Sequence, residues 1–175
     1  MQLYLIRHPT PQVAAGICYG RTDLELAEDV AAAAARIRTQ LPPHLPVYTS
    51  PLQRCRQLAD ALHSAPRSDS RLREMNFGTW EMSPWARIQI EALDGWAADP
   101  LGYAPPEGES VAQLRDRVNG FLAQMQSEGL QRAALVTHAG VMKIIVGQAR
   151  AMPAAQWMAL RFEYESVVRV DLEIP

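Results

Sequence analysis

The sequence has 175 residues, enough for one domain with a full hydrophobic core and too few for two ordinary domains. Apolar residues make up 48% and charged residues 21% of the chain, which excludes an intrinsically disordered protein. The formal net charge is −2, from 17 Lys and Arg against 19 Asp and Glu, so composition gives no electrostatic case for binding nucleic acid or an anionic membrane.

The sequence shows no pattern typical of export or membrane insertion. Its two cysteines, Cys18 and Cys55, lie in no CxxC motif and in no cysteine/histidine cluster, as expected for a reduced protein. The amino terminus lacks the basic and apolar regions of a signal peptide, and no apolar run approaches the length that crosses a bilayer. We therefore expect a cytoplasmic protein.

The first strand is predicted at Leu3-Tyr4-Leu5-Ile6, because four consecutive apolar residues are typical of a strand buried on both faces of a parallel sheet. It ends in Arg7-His8, after which Pro9 and Pro11 prevent regular structure. Ligands of open α/β sheets bind at the carboxyl ends of the strands, so a cation and an imidazole here indicate an anion site. The alternative is a histidine that only caps the strand by bonding a backbone carbonyl.

A glycine-containing loop over residues 12–23 follows the first strand. The alanine-rich segment 28–41 predicts a helix, which Pro42-Pro43 ends. Residues 46–49 predict a short second strand. The chain thus begins with the strand–helix–strand order of a parallel sheet.

Ser50-Pro51-Leu52-Gln53 matches a capping box, with serine as N-cap, proline at the first helical position and glutamine three residues after the cap. Arg54 then lies in the first turn of the predicted helix, where the macrodipole disfavours a cation. Either Arg54 is simply solvated, or Arg54 and the helix terminus share one bound anion.

The rest of the chain predicts two further strands before the last one, three helices and an edge strand. In order, these are a short strand within 67–77, a helix over 83–98, a helix opened by the capping box Ser110-Val111-Ala112-Gln113, a strand at 133–137 followed by His138, a helix over 141–149 and an edge strand over 167–174. The edge strand is indicated by alternating apolar and polar residues. Residues 100–109 are predicted to form a loop, because they contain three prolines and two glycines.

Three predicted buried strands therefore end in Arg7-His8, in the segment that carries Arg54, and in His138. Right-handed crossovers place such ends on the same side of one sheet, so we expect two histidines and two arginines to meet there. No carboxylate lies directly beside them in the sequence, and unpaired cations in a fold need an anionic partner. Phosphate is the natural candidate, because arginine binds its oxygens bidentately.

The motifs disfavour two other chemistries. The sequence contains no HxH or HExxH pair, His44 and His63 are expected to be exposed, and the arginines would repel a cation, so we predict no metal site. A serine hydrolase is disfavoured because the sequence has no GxSxG elbow.

Five segments together resemble the histidine phosphatase superfamily, branch 1, the phosphoglycerate-mutase-like enzymes. They are Leu5-Ile6-Arg7-His8, Thr49-Ser50-Pro51-Leu52-Gln53-Arg54, Phe77-Gly78-Thr79-Trp80-Glu81, Gly108-Glu109-Ser110 and Val136-Thr137-His138-Ala139-Gly140. The segments span residues 3–145 in the family's order. The sequence around Phe77 is most similar to that of α-ribazole phosphatases and related small phosphatases.

The resemblance implies an α/β fold of the phosphoglycerate mutase type. This fold is a three-layer α/β/α sandwich around a mostly parallel sheet with an antiparallel edge strand. We expect one domain over residues 1–175, with a small cap excursion at about 82–109.

The resemblance also implies that His8 attacks phosphorus through Nε2 to form a phosphohistidine. Arg7, Arg54, His138 and the backbone N–H of Gly20 are the expected phosphate contacts. We expect the other ring nitrogen of His8 to donate to a backbone carbonyl, which fixes the tautomer.

Glu81 is the expected general acid, and later the general base toward water. To act as an acid near neutrality it needs a raised pKa, which a desolvating wall that includes Trp80 could supply. The alternative is that Glu81 is a surface carboxylate and that Glu74 or Glu109 transfers the proton.

The expected activity is hydrolysis of a small phosphomonoester without a metal or cofactor, with α-ribazole 5′-phosphate as one candidate substrate. No nucleic-acid or membrane partner is expected. The alternatives are phosphoglycerate-mutase-type transfer and a catalytically inactive phosphate-ligand binder. The short 82–109 excursion disfavours a mutase, which must shield its intermediate from water. The complete set of catalytic residues disfavours an inactive binder.

Two positions depart from the family pattern. Pro9 stands where glycine is usual, and Ala14 stands where many members have an asparagine that contacts phosphate. Neither departure removes a group that performs chemistry, although Ala14 removes one phosphate ligand. The cap side chains expected to set substrate choice are Trp85, Arg87, Trp96 and Tyr103.

Overall fold

The structure, a computed structural model, describes residues 1–88 and 90–172. Its helices and strands are β1 (Gln2–Arg7), α1 (Val30–Arg38), β2 (Val47–Thr49), α2 (Gln53–Leu62), β3 (Arg67–Ser68), α3 (Ile90–Ala98), α4 (Val111–Ser127), β4 (Arg132–Thr137), α5 (Ala139–Ala149) and β5 (Val167–Asp171). Short 3₁₀ turns lie at Ser70–Leu72, Gly78–Trp80, Trp85–Arg87 and Ala154–Ala159.

The strands form a five-stranded sheet in the order β3-β2-β4-β1-β5. The four strands from β3 to β1 run parallel, and β5 runs antiparallel to β1 at the edge. Arg7 pairs with Thr137 and Thr49 pairs with Val136, so β1, β4 and β2 end at nearly the same level. The predicted mostly parallel sheet with an antiparallel edge strand is confirmed.

Helices cover both faces of the sheet. On one face α1 and α2 pack against Ile6 and Val136, and on the other α4 and α5 pack against Leu5 and Leu135. Successive side chains of a strand point to opposite faces, so a strand covered on both faces has an uninterrupted apolar sequence. This explains the apolar run in β1 and confirms the three-layer arrangement.

Several predicted elements are shorter in the structure. The helix predicted over 28–41 is α1, which begins after Asp29, whose carboxylate accepts from the N–H of Ala31. The helix predicted over 83–98 is divided into a 3₁₀ turn and α3, and position 89 lies outside the described residues. The edge strand ends at Asp171, and residues 173–174 of its predicted range also lie outside them.

One predicted capping box is confirmed and the other is wrong. Ser110 caps α4, with its hydroxyl accepting from the N–H of Gln113 and the Gln113 side chain accepting in return. Helix α2 instead begins at Gln53, three residues after Ser50, and its N-cap Leu52 makes no side-chain cap bond. Asp23 from the preceding loop accepts from the N–H of Gln53 at 2.7 Å and supplies the missing acceptor.

A third apolar cluster lies beside the sheet and joins the loop after β1 to the segment 77–103. Its buried members are Cys18, Trp80 and Ile88, and more aromatic rings pack around them. Cys18 and Cys55 are both buried free thiols. None of the helices in the described part of the chain is long and apolar enough to cross a bilayer.

Candidate active site

Four side chains converge where β1, β2 and β4 end. His8 follows β1 directly, and His138 follows β4 as the N-cap of α5. Their ring centroids lie 5.1 Å apart, and Arg54 of α2 donates from Nε to Nε2 of His8 at 3.3 Å. Arg7 faces the same cavity as His8. The predicted meeting of two histidines and two arginines is confirmed.

His8 is 2% exposed and held in one tautomer. Its Nδ1 lies 2.7 Å from the carbonyl oxygen of Pro9, which can only accept, so Nδ1 carries the proton. Nε2 therefore keeps its lone pair and accepts from Arg54. Burial, followed by the charge of Arg54, lowers the pKa of His8 well below its usual range. His8 is thus a neutral imidazole whose unprotonated Nε2 lies beside Arg54, and Pro9 leaves that geometry intact.

Arg54 is fully buried and fixed by the loop after β1. Its Nη1 donates to the carbonyl of Thr22 at 2.8 Å and its Nη2 to that of Gly20 at 2.7 Å. Each terminal nitrogen carries a second N–H that these bonds do not use. This arrangement excludes a simply solvated Arg54 and favours a fixed cation beside His8.

Arg7 is held by the segment that precedes β5. Its Nη1 donates to the carbonyl of Phe162 at 2.6 Å, and its guanidinium lies 3.8 Å from the ring centroid of Tyr164. The same ring lies 5.6 Å from that of His8, and its hydroxyl bonds that of Tyr19 at 2.6 Å. Nε of Arg7 is buried and has no partner among the described residues, which makes it a donor available to an anion.

His138 is oriented by Ser50, a role that the sequence did not reveal. Nε2 of His138 and the Ser50 hydroxyl are 2.8 Å apart, and the Cys55 thiol lies 3.4 Å from the same nitrogen. Burial lowers the pKa of His138 well below its usual range, and the repulsion that protonated His8 and His138 would exert on each other, with the charge of Arg54, lowers it further. The Ser50 hydroxyl also accepts from the N–H of Leu52 at 3.3 Å, so it links the imidazole to the turn before α2 and does not cap Gln53.

Gly20 lies against the segment that carries Met75. A Cβ at position 20 would lie 1.9 Å from the carbonyl oxygen of Met75, so no other residue fits without moving the backbone. Its carbonyl accepts from Arg54. Donation from the Gly20 N–H to phosphate stays a prediction. Ala14 is exposed on the same loop.

The expectation of a raised pKa at Glu81 is wrong. Its carboxylate accepts from the backbone N–H groups of Arg21, Thr22 and Phe77 at 2.8, 2.7 and 3.1 Å, and from the Thr22 hydroxyl. Burial alone would raise its pKa, but these bonds outweigh burial and the pKa is lowered. The Glu81 carboxylate thereby joins the loop after β1 to the segment at Phe77, and its role as general acid stays a prediction.

Glu74 is the carboxylate that faces the cavity with His8. It accepts from the N–H of Met75 at 2.9 Å and from that of Gly140, in the first turn of α5, at 3.0 Å. A Cβ on Gly140 would lie 2.1 Å from the Glu74 carboxylate, so the glycine permits this approach. Glu109, the other alternative, is engaged by Arg21 and Arg117 and does not line the cavity.

The cavity beside His8 has a volume of about 280 Å³, and aromatic side chains form part of its wall. Phe77, Trp85 and Trp96 line it, and the two indoles are nearly parallel, with an 8° interplanar angle and centroids 6.2 Å apart. Of the four cap side chains expected to face substrate, Arg87 and Tyr103 do not line this cavity, and Tyr103 stacks on Trp80 instead.

Lys143 of α5 adds a cation to the cavity that sequence reasoning missed. Its Nζ donates to the carbonyl of Met158 at 2.9 Å, and burial, assisted by the charge of Arg161, lowers its pKa. Lysine in the middle of an amphipathic helix has no local signal that separates it from a solvated one. In the part of the chain that the structure describes, no group of three or more histidine, cysteine, aspartate or glutamate side chains could hold a metal ion.

The two buried imidazoles predict a loss of stability in acid. In the unfolded chain both titrate near pH 6.5, whereas in the fold their pKa values are lowered, so below about pH 6.5 the unfolded state binds more protons. The contribution of the two neutral imidazoles to the free energy of unfolding is therefore fully present above about pH 6.5. It falls below that pH, by up to about 1.4 kcal/mol per pH unit for each imidazole.

Urea unfolding at a series of pH values between about 7.5 and 5 measures this loss. The double variant with His8→Asn and His138→Asn is expected to flatten the dependence. His44→Asn is the control, because His44 is exposed and its φ of 58° suits asparagine. If the free energy of unfolding of the double variant fell equally steeply with decreasing pH, other groups would cause the loss of stability in acid.

The chain matches one family model over nearly its whole length, and it is similar to proteins named as phosphatases and as a phosphoglycerate mutase. Residues 3–173 match the family described as histidine phosphatase superfamily (branch 1). The adenosylcobalamin/alpha-ribazole phosphatase of Salmonella typhimurium is 28% identical, over 98% of this chain and 91% of that protein. A probable phosphoglycerate mutase of Yersinia pestis is 29% identical, over 99% and 86%. The crystal structure of the alpha-ribazole phosphatase from Shigella flexneri superposes with a TM-score of 0.85 at 26% identity, over 99% and 91%.

Proposed function

This chain belongs to the histidine phosphatase superfamily, branch 1, and from that premise we propose that it hydrolyses a small phosphomonoester through a phosphohistidine on His8. One observation carries the proposal. The carbonyl of Pro9 holds the proton on Nδ1 of His8, so Nε2 presents a lone pair beside the Arg54 guanidinium. A neutral nucleophile next to a fixed cation is the arrangement that phosphoryl transfer needs.

In the first step, Nε2 of His8 attacks phosphorus as the bond from phosphorus to the leaving oxygen breaks. Arg7 and Arg54 bind the non-bridging oxygens and stabilise the charge that spreads over them. His138, oriented by Ser50, contacts the same phosphoryl group. Because the buried Nε of Arg7 and the second N–H groups of Arg54 are not used within the described residues, they are available for these contacts.

We assign the proton transfers to Glu74 rather than to Glu81. Glu74 donates its proton to the leaving oxygen in the first step. It then takes a proton from water, which attacks phosphorus, breaks the bond to Nε2 and releases inorganic phosphate. Support comes from the shared cavity of Glu74 and His8, whereas four donors hold the Glu81 carboxylate elsewhere.

For the substrate we propose a phosphomonoester whose alcohol carries a flat aromatic group, with α-ribazole 5′-phosphate as the first candidate. The aromatic wall of Phe77, Trp85 and Trp96 suits such a group, because aromatic rings stack and pack well against one another. Two relatives named as alpha-ribazole phosphatases support the same choice.

The test is a panel of phosphomonoesters, with and without EDTA, assayed for released phosphate. The panel contains 4-nitrophenyl phosphate, α-ribazole 5′-phosphate, phosphoserine and 3-phosphoglycerate. We expect turnover that EDTA does not reduce, with the largest kcat/KM for α-ribazole 5′-phosphate. Isomerisation of phosphoglycerate without phosphate release would indicate a mutase. No turnover of any member would indicate a ligand binder, and loss in EDTA that metal restores would indicate a metal enzyme.

A further inference from the structure

Arg117 of α4 divides its hydrogen bonds between the backbone around Glu74 and the Glu109 carboxylate. Nη1 donates to the carbonyls of Arg71 and Arg73 at 2.6 and 2.8 Å, and Nη2 donates to the carbonyl of Glu74 at 3.0 Å. Nε and Nη2 also donate to the two carboxylate oxygens of Glu109 at 3.1 and 2.7 Å. An arginine has five N–H donors, so every one of them is engaged.

The segment depends on these bonds because it has no regular structure of its own. Residues 73–77 lie between two 3₁₀ turns and belong to no helix or strand. Backbone carbonyls outside secondary structure need other partners. Arg117 binds two carbonyls of this segment, those of Arg73 and Glu74, together with that of Arg71 in the preceding 3₁₀ turn. The Glu109 carboxylate accepts from the N–H of Asn76 at 2.9 Å. Arg117 therefore binds backbone carbonyls of the segment, and its partner Glu109 binds a backbone N–H of the same segment.

The same segment sends the Glu74 carboxylate toward α5. The carbonyl of Glu74 is bound to Arg117, while its carboxylate reaches Gly140. The position of the Glu74 backbone thus sets how far the carboxylate extends into the cavity. Proton transfer requires heavy atoms within about 2.6–3.2 Å of each other, and a displacement of about 1 Å can lower a rate by about 10²-fold.

From these contacts we infer that Arg117 is a positioning residue for Glu74. It holds the peptide that carries the acid, while remaining outside the cavity lining and touching no reacting atom. This inference rests on the proposed roles of His8 and Glu74. Lysine cannot replace Arg117, because one ammonium has three donors at a single point and cannot reach three carbonyls and a carboxylate together.

The charge of Arg117 has a separate effect that the test must exclude. Burial, His8 and Arg54 are the main reasons that the pKa of His138 is lowered, and Arg117 adds to them through its charge. Arg117→Lys keeps that charge and removes the planar guanidinium with its five N–H donors. Any effect of this variant on proton transfer therefore reports geometry rather than charge.

The test compares an alkyl phosphate with 4-nitrophenyl phosphate, whose leaving group departs without a proton. We expect Arg117→Lys to lower kcat/KM, which reports phosphorylation of His8 and not the later hydrolysis common to both esters, about 10- to 100-fold for the alkyl ester and less than about 3-fold for the nitrophenyl ester. Arg115→Lys is the matched control, because Arg115 lies on the same helix and pairs only with exposed Asp116 among the described residues. It is expected to leave both rates unchanged.

A double-mutant cycle decides whether Arg117 acts through Glu74. In a Glu74→Gln background, Arg117→Lys is expected to cause no further loss with the alkyl ester, because the group that it positions is absent. Equal losses for both esters, or losses that multiply in the double variant, would overturn the inference. If Arg117→Lys does not fold, Glu109→Gln tests the same set of hydrogen bonds. It is expected to lower the rate with the alkyl ester more than the rate with the nitrophenyl ester.

Failure of the proposed function gives a different result. If Glu74→Gln itself leaves alkyl-ester hydrolysis unchanged, the role of Glu74 is wrong and the inference about Arg117 is overturned with it. If Glu74→Gln lowers that rate while Arg117→Lys does not, only the inference about Arg117 is overturned.

Discussion

Replacing His8 with alanine is expected to abolish phosphate release, with a loss of about 10⁴-fold or more in kcat. The reason is that no other described side chain presents an unprotonated nitrogen held beside Arg54 in the cavity. His138 is not held in this way, because no hydrogen bond joins it to Arg54 among the described residues and its Nε2 lies against the Ser50 hydroxyl and the Cys55 thiol. The rate is measured with 4-nitrophenyl phosphate, so that leaving-group protonation does not limit the wild-type reaction.

The same experiment includes a direct search for the intermediate. After an alkaline quench, which preserves phosphohistidine, mass spectrometry of wild-type peptides is expected to place one phosphoryl group on His8. The control is His44→Asn, at an exposed position before the amino end of β2 and so away from the carboxyl ends of the strands, which should retain full activity. Label on His138, or substantial turnover by His8→Ala, would contradict the proposed nucleophile.

Replacing Glu74 with glutamine is expected to give the second-largest loss, about 10²- to 10⁴-fold for alkyl phosphates. Glutamine keeps the shape of the side chain and removes the transferable proton. With 4-nitrophenyl phosphate the first step needs no acid, so the expected loss there is small until breakdown of the phosphohistidine limits the rate. A burst of nitrophenol followed by slow turnover would show that limit.

Glu81→Gln is the matched comparison, because it makes the same chemical change on a nearby carboxylate. An amide has one acceptor oxygen and cannot satisfy the three N–H groups that Glu81 now accepts from. We expect a loss of about 1–3 kcal/mol in the free energy of unfolding, and no dependence of the rate on the leaving group. A leaving-group dependence that appears in Glu81→Gln and not in Glu74→Gln would restore the role to Glu81.

The arrangement of the site was largely predictable from the sequence because its main determinant is topological. A strand buried on both faces has an uninterrupted apolar sequence, and parallel strands deliver their carboxyl ends to one edge. From these two facts follow the sheet and the meeting of His8 with Arg54 and His138. The tautomer of His8 was predictable separately, because Nδ1 bonds the carbonyl of the adjacent Pro9. The Ser110 capping box was predictable for a different reason, since both of its bonds are local in the sequence.

The errors arose where a distant partner competes with a local pattern. Ser50 fits a capping box, but its hydroxyl bonds the imidazole of His138, which is 88 residues away. The N–H of Gln53 donates to Asp23 instead. Glu81 follows a tryptophan that suggested desolvation, but the loop at Arg21 and Thr22 supplies three donors. Nothing near Glu74 in the sequence indicates that Gly140 approaches it. Such pairings become visible only once the strands bring the loops together.

Phe77 joins two functions that the fold keeps chemically independent. Its main-chain N–H donates to Glu81 and so belongs to the frame that holds the loop after β1, whereas its ring belongs to the wall that a leaving alcohol would meet. Every amino acid except proline has that N–H. Replacing Phe77 with another side chain therefore leaves the hydrogen bond from its backbone to Glu81 in place. Relatives of this chain could therefore diverge in the alcohols that they accept by changing rings alone, while the machinery for handling phosphorus is inherited intact.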